Sequence, residues 1–239
     1  MRLDKLLSNM GFGTRKEVKQ LMKKGAVQVN AVAVKDAALH VDPVKDEVTV
    51  LGQKVVYKEF MYLMMNKPQG VLSATEDKRD QTVIDLLDEE YNIFEMFPVG
   101  RLDKDTEGFL LLTNDGKLAH NLLSPKKGVP KTYYAHIDGI VTEEDTNQFS
   151  EGVILDDGYE TKPGQLRILK SADISEIELT ITEGKYHQVK RMFEAVGKQV
   201  VYLKRLSMGP LSLDESLALG SYRELTEEEL QQLMQISEK

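Results

Sequence analysis

The chain has 239 residues, 41% of them apolar and 29% charged, with no cysteine and a net charge of −8. Such a chain is long and apolar enough to bury a sizeable core, and the missing thiols exclude disulfide frameworks, thiolate metal sites and cysteine nucleophiles. Charges at Arg2, Asp4 and Lys5 fall where a secretory leader needs an apolar run, and no segment approaches the roughly 20 apolar residues of a bilayer span, so a cytoplasmic protein without a membrane partner is expected.

Leu3, Leu6 and Leu7 follow helical spacing, and Gly11-Phe12-Gly13 ends that helix. Thr14-Arg15-Lys16-Glu17 reads as a capping box for a second helix with Val18, Leu21 and Met22 on its buried stripe and Gly25 at its end. Alternation at Val27-Gln28-Val29 and Val32-Ala33-Val34 predicts a hairpin around Asn30-Ala31, with Val48-Thr49-Val50 as a further strand. Lys54 to Phe60 lacks periodicity, so a small domain over 1–58, a linker near 54–60 and a larger domain over 59–239 are expected.

Charge is divided along the same line. Residues 1–58 hold 11 Lys and Arg against 6 Asp and Glu, whereas the remainder holds 20 against 33. Arg15, Lys19 and Lys23 are four apart and share a helix face, with Lys16 and Lys24 beside them and Arg2 at the start of the module. Like charges at that spacing cost helix stability. Either a polyanion such as RNA compensates them, or the face is simply solvated.

In the larger part, Met61–Met65 reads as a strand ended by the turn Asn66-Lys67-Pro68-Gln69-Gly70. A short helix is expected at Val83–Leu87, a strand at Phe109–Thr113, and a helix through Leu118 and Leu122 after Asn114-Asp115-Gly116. Strands are expected at Tyr133–Ile140, Gln165–Leu169, Ile177–Ile181 and Val200–Leu203. Helices are expected from Thr142 toward Glu151, through Val189, Met192, Phe193 and Val196 up to Gly197, and after the Thr226–Glu229 capping box. Strands and helices intersperse without βαβ regularity, so the expected class is α+β, with a mixed, mostly antiparallel sheet flanked by helices.

The segment Gly100-Arg101-Leu102-Asp103-Lys104-Asp105-Thr106-Glu107-Gly108 admits two chemistries. As a calcium loop it needs a bidentate Glu at its twelfth position, but that position is Asn114, the ninth is Leu111, and Pro98 and Gly100 interrupt any helix before it. The alternative is a single carboxylate at the mouth of a pocket. The histidines are isolated and lack zinc spacing, with His187 read as exposed or structural, so no metal is expected. No nucleotide-cradling glycine loop occurs, so no cofactor is expected either.

Taken together, Gly100–Gly108, Asn66–Gly70, Lys131-Thr132-Tyr133, Glu183–Phe193 and Leu203-Lys204-Arg205 resemble the motifs of the pseudouridine synthases, specifically the RsuA branch. The first 58 residues resemble the S4-like (αL) RNA-binding domain. The resemblance covers essentially the whole chain in order. It departs at Phe109, where a smaller aliphatic is usual, and at Asn30-Ala31, where Asn/Asp-Gly is common.

That resemblance implies isomerisation of a uridine in RNA. Asp103 takes the place of the catalytic aspartate, a carboxylate that attacks the sugar or helps deprotonate it while the N-glycosidic bond breaks. A nearby cation should favour its charged form, and the resemblance nominates Lys190, with Arg191 as second choice. Tyr133 corresponds to the tyrosine that stacks on the target base, although packing alone would account for a tyrosine opening a strand. Arg101 either probes the space left by the flipped base or pairs with Asp105 or Glu107. Leu203 would wall the pocket. In the first module, Arg2, Arg15, Lys16, Lys19, Lys23 and Lys24 are the RNA-binding candidates.

The implied partner is ribosomal RNA, as a ribosomal-subunit assembly intermediate, met by a monomeric enzyme. Small-subunit 16S rRNA is the expected target. A 23S target, or a non-catalytic ribosome-associated RNA-binding protein, is the alternative.

Overall fold

A computed structural model describes residues 1–238, and contacts divide the chain into two units. One comprises Met1–Met61 together with Asp88–Glu95, and the other Tyr62–Leu87 together with the chain from Met96 onward. The division is therefore not the single cut at 58 expected from composition: a short 3-10 helix, Glu89–Phe94, belongs with the first unit. Among the described residues, no helix is long and apolar enough to cross a membrane.

The first unit begins with α1 (Leu3–Asn9) and α2 (Arg15–Lys23), which are followed by β1 (Val27–Val29), β2 (Val32–Ala33), β3 (Val48–Val50) and β4 (Gln53–Val55). Leu3, Leu6, Leu7, Val18, Met22, Val27, Val48 and Val50 form its core. Thr14 and Glu17 cap α2 reciprocally, the Thr14 amide donating to Glu17 Oε2 at 2.7 Å. The antiparallel sheet runs β2-β1-β3-β4. β4 runs two residues into the expected linker, because an edge strand needs backbone pairing with β3 and no side-chain alternation.

Asn30 and Ala31 make the β1–β2 turn with φ of 51° and 65°, the left-handed pair required by a two-residue hairpin. Ala31 pays the steric cost of that conformation. Asn30 supplies compensation, accepting from the Glu47 amide and donating to Asp46 Oδ1, both at 2.9 Å.

In the second unit the order is β5 (Tyr62–Lys67), β6 (Phe97–Pro98), β7 (Glu107–Thr113), α3 (Gly116–Leu123), β8 (Lys131–Asp138), α4 (Glu143–Glu151), β9 (Gln165–Lys170), β10 (Ile174–Ile181), α5 (Gln188–Ala195), β11 (Gln199–Met208), β12 (Leu211–Ser212), β13 (Tyr222–Glu224) and α6 (Glu227–Glu238). The mixed sheet runs β13-β5-β7-β11-β8-β10-β9, and the fold is α+β as expected. The expected helix at Val83–Leu87 is absent. Thr82 and Asp85 close a turn instead, and Thr82 bridges Leu72, which uses the backbone that a helix would need.

Among the described strands of this sheet only β7 and β11 pair in parallel, and this seam joins two antiparallel halves. At the seam Arg205 faces Gly108 on one side and Tyr133 on the other. Gly108 has φ of 102°, and a Cβ there would lie 2.2 Å from the Arg205 carbonyl oxygen, so only glycine lets the strands approach. Phe109, the departure noted in the sequence, is buried in the cluster with Met64, Leu111, Leu118 and Met208. On the other half of the sheet α4 and α5 meet through Phe149 and Phe193, with ring centroids 5.0 Å apart.

Candidate active site

The loop from Gly100 to Thr106 enters β7 and carries Asp103 to the seam. Its shape is fixed from below. Lys67, the last residue of β5, is fully buried, and its Nζ donates to the carbonyls of Pro68, Asp103 and Thr106 at 3.0–3.1 Å. Ser73 adds a second pin, donating to Leu102 O at 2.9 Å and accepting from the Leu102 amide at 3.1 Å. Burial pushes the Lys67 ammonium down to about 8, against the opposing pull of Asp103, Asp105 and Glu107. At neutral pH it is still charged and still donates to the loop.

Above the loop stands the segment Glu183–Lys190. Buried Glu183 and Gln188 hold it: Gln188 Nε2 donates to Glu183 Oε1 at 2.5 Å, and Gln188 Oε1 accepts from the Lys185 amide at 2.8 Å. Glu183 also accepts from the Tyr159 hydroxyl and the Lys162 amide. His187 takes a left-handed φ of 48° at the start of α5.

These two segments place a basic side chain beside each oxygen of Asp103. Lys190 Nζ lies 3.2 Å from Oδ2, and His187 Nε2 lies 3.4 Å from Oδ1. Lys190 also donates to Asp105 at 2.7 Å. Burial opposes the charge on Lys190, but the Asp105 hydrogen bond and the Asp103 charge outweigh it and raise its pKa. The same hydrogen bond lowers the pKa of Asp105. The acidic loop thus spends its carboxylates on a lysine, and among the described residues no cluster of His, Asp and Glu is placed to hold a metal ion.

Asp103 and Lys190 line a half-open cleft of about 120 Å³, together with Tyr133, Leu203, Arg101 and His187. Against drug-sized pockets of about 300–1,000 Å³, that is room for one small ring. Tyr133 and Leu203 are buried walls, at 8% and 5% exposure. Tyr134 points to the opposite sheet face, where its hydroxyl donates to Glu176 at 2.7 Å. The floor is cationic, with Lys131 and Arg205 both buried. Burial first, then the Arg205 charge, pushes Lys131 down to about 8.

The geometry narrows two alternatives left open by the sequence, in favour of Lys190 over Arg191 and against an ion-paired Arg101. Arg191 does not line the cleft; α5 turns it the other way, onto Asp156 and Asp157. Arg101 is exposed at the rim and does not pair with Asp105 or Glu107, whose partners are Lys190 and the Tyr202 hydroxyl. His187 was missed because no spacing relates it to another ligand, and Lys67 because its motif reads as a turn.

In the first unit Arg15, Lys16, Lys19, Lys23 and Lys24 are exposed and form no ion pair among the described residues. Arg2 differs, since its guanidinium grips buried Asp4 at 2.8 and 3.0 Å.

A cationic helix face on one unit and a carboxylate–lysine cleft on the other are features that an RNA-modifying enzyme with its own RNA-binding unit would need. Residues 61–195 match the RNA pseudouridylate synthase family and residues 1–48 the S4 domain. The chain belongs to the RNA pseudouridylate synthase family, with an S4 domain at its N-terminus.

It is 64% identical to the uncharacterized RNA pseudouridine synthase YtzG of Bacillus subtilis, over 96% of this chain and 97% of the relative. It is 43% identical to the ribosomal small subunit pseudouridine synthase A of Vibrio cholerae, over 96% and 98%. It is 39% identical to the ribosomal large subunit pseudouridine synthase B of Bacillus subtilis, over 99% and 97%. A crystal structure of a pseudouridylate synthase superposes with a TM-score of 0.69 at 36% identity, covering 98% of this chain and 99% of that one.

Proposed function

We propose that this enzyme converts a specific uridine of small-subunit 16S ribosomal RNA to pseudouridine, with Asp103 as the catalytic carboxylate. The observation that carries the reading is the position of Asp103, at the mouth of a one-ring cleft with Lys190 and His187 on its two oxygens. Isomerisation breaks the N-glycosidic bond and rejoins the same base through carbon, with no change of oxidation state and no group lost, so it needs no cofactor.

A carboxylate beside C1′ serves that chemistry either as nucleophile or by helping deprotonate the sugar. Lys190 sets its ammonium 3.2 Å from that carboxylate, and the Tyr133 ring offers a flat apolar face to a base taken out of its helix. Leu203 closes the wall, and Arg101, exposed and in no ion pair among the described residues, is available to occupy the gap left in the RNA. Arg191 takes no part at the base in this reading. Arg15, Lys16, Lys19, Lys23 and Lys24 grip phosphates, which makes affinity fall with salt. Arg2, committed to Asp4, contributes only through its charge. The enzyme acts in the cytoplasm as a monomer, on RNA within an assembling ribosomal particle.

Similarity to a large-subunit synthase supports a second reading, in which the target lies in 23S rRNA. Pseudouridine-specific labelling of rRNA from cells with and without the gene separates them. The expected result is one 16S uridine that loses its label when the gene is removed. A lost 23S label moves the target, and no lost label in any rRNA overturns the enzyme reading in favour of a non-catalytic RNA-binding protein.

A further inference from the structure

We infer that Tyr186 is a stacking platform for an unpaired nucleobase flanking the target uridine, an inference that rests on the uridine-isomerising reading of the cleft. The Tyr186 ring is 72% exposed, yet it is not a loose surface side chain. One face lies on His187, with centroids 3.8 Å apart and planes 19° from parallel. A tyrosine retained for packing buries its ring, whereas this one is braced on one face and open on the other.

The brace leads directly to the chemistry. His187 Nε2 is 3.4 Å from Asp103 Oδ1, so the open ring is one side chain removed from the reacting carboxylate. The ring therefore lies within reach of a nucleotide flanking a base delivered to Asp103. The brace is also costly in conformation, because His187 is held at a left-handed φ of 48° by the Glu183–Gln188 network. Backbone of this kind persists where its surroundings over-determine it, and it clusters at binding sites.

Charge favours stacking over phosphate contact here. Arg191 is engaged by Asp156 and Asp157, and Lys190 by Asp103 and Asp105. Lys185, the remaining neighbour, lies with its ammonium 4.4 Å from the Tyr159 ring centroid, so what Tyr186 itself adds for RNA is an aromatic face, which accepts any base.

The test compares wild type with Tyr186→Ala and Tyr186→Phe, using in vitro transcribed 16S and 23S rRNA. Tyr186→Ala should raise KM about 5- to 150-fold, the range for losing one base–aromatic stack. Tyr186→Phe should stay within about twofold of wild type, and the urea midpoints of all three should coincide. A KM for Tyr186→Ala within about twofold of wild type overturns the platform while leaving the uridine-isomerising reading intact. If wild type makes no pseudouridine either in these transcripts or in ribosomal assembly particles, that reading fails, and filter binding of the same rRNAs decides the platform alone: equal Kd for wild type and Tyr186→Ala overturns it too.

Discussion

Lys67 lies beneath Asp103 and donates from its buried ammonium to the Asp103 carbonyl oxygen at 3.1 Å. The residue assigned the chemistry is thus anchored through its backbone, which leaves its side chain to the cleft. Lys67→Met would strip a donor from the buried Thr106 carbonyl and from the half-buried carbonyls of Pro68 and Asp103, at about 1–3 kcal/mol for each one left buried and unsatisfied. We predict a loss of at least about 2 kcal/mol in urea unfolding. We also predict a fall in kcat larger than any change in KM, since the loop shifts while the cationic helix proposed to hold RNA is untouched.

Buried lysines make stability depend on alkaline pH with a defined sign. Lys67 and Lys131 lose their protons near pH 8 in the folded chain, whereas an unfolded lysine keeps its proton to about 10.4. Between those values the unfolded chain binds more protons, so this contribution to stability rises with pH. Tyr202, raised by burial and by Glu107, acts with the opposite sign only near and above the ordinary tyrosine pKa of about 10. From pH 7.5 to 9.5, wild type should therefore gain about 2 kcal/mol relative to Lys131→Met in urea unfolding. A difference that does not change with pH contradicts the assignment for Lys131.

Gly108 tests the seam. A Cβ would lie 2.2 Å from the Arg205 carbonyl oxygen, a backbone atom that cannot swing away. Gly108→Ala must separate β7 from β11 or distort both, at a cost of about 3 kcal/mol or more. Thermal unfolding should show it, and activity should fall with it because Tyr133 and Asp103 are positioned from these strands.

Ala31 gives a prediction of the opposite direction. Its φ of 65° suits glycine, so Ala31→Gly should stabilise the first unit by about 1 kcal/mol despite the greater freedom of the unfolded chain. Urea unfolding of the full chain reads the change.

Much of this arrangement is legible in the residues themselves. The Thr14/Glu17 and Thr226/Glu229 boxes announce two helix starts because their partners are three residues apart, and both form. Alternation placed β8 and β10 correctly, with Tyr133 and Tyr134 on opposite faces. What failed depends on distant partners. Thr82 and Asp85 carry helix-start chemistry but are diverted by pairing with Leu72. Arg191 shares a helix with Lys190, and only the position of Asp156 and Asp157 decides which of the two faces the cleft. Lys67 reads as part of a turn, since nothing local reveals that Asp103, 36 residues away, needs a donor beneath it.

The central claim is that one carboxylate, Asp103, performs the isomerisation, and replacing it with its amide tests this most directly. Asp103→Asn keeps the shape of the side chain and removes its charge. Pseudouridine formed in 16S and 23S rRNA should be measured by mass spectrometry in single-turnover reactions, alongside Kd for the same RNA. We predict no detectable product, with Kd within about threefold of wild type because the cationic face of the first unit is unchanged. Pseudouridine formed by the amide variant at a rate comparable to wild type would contradict the account.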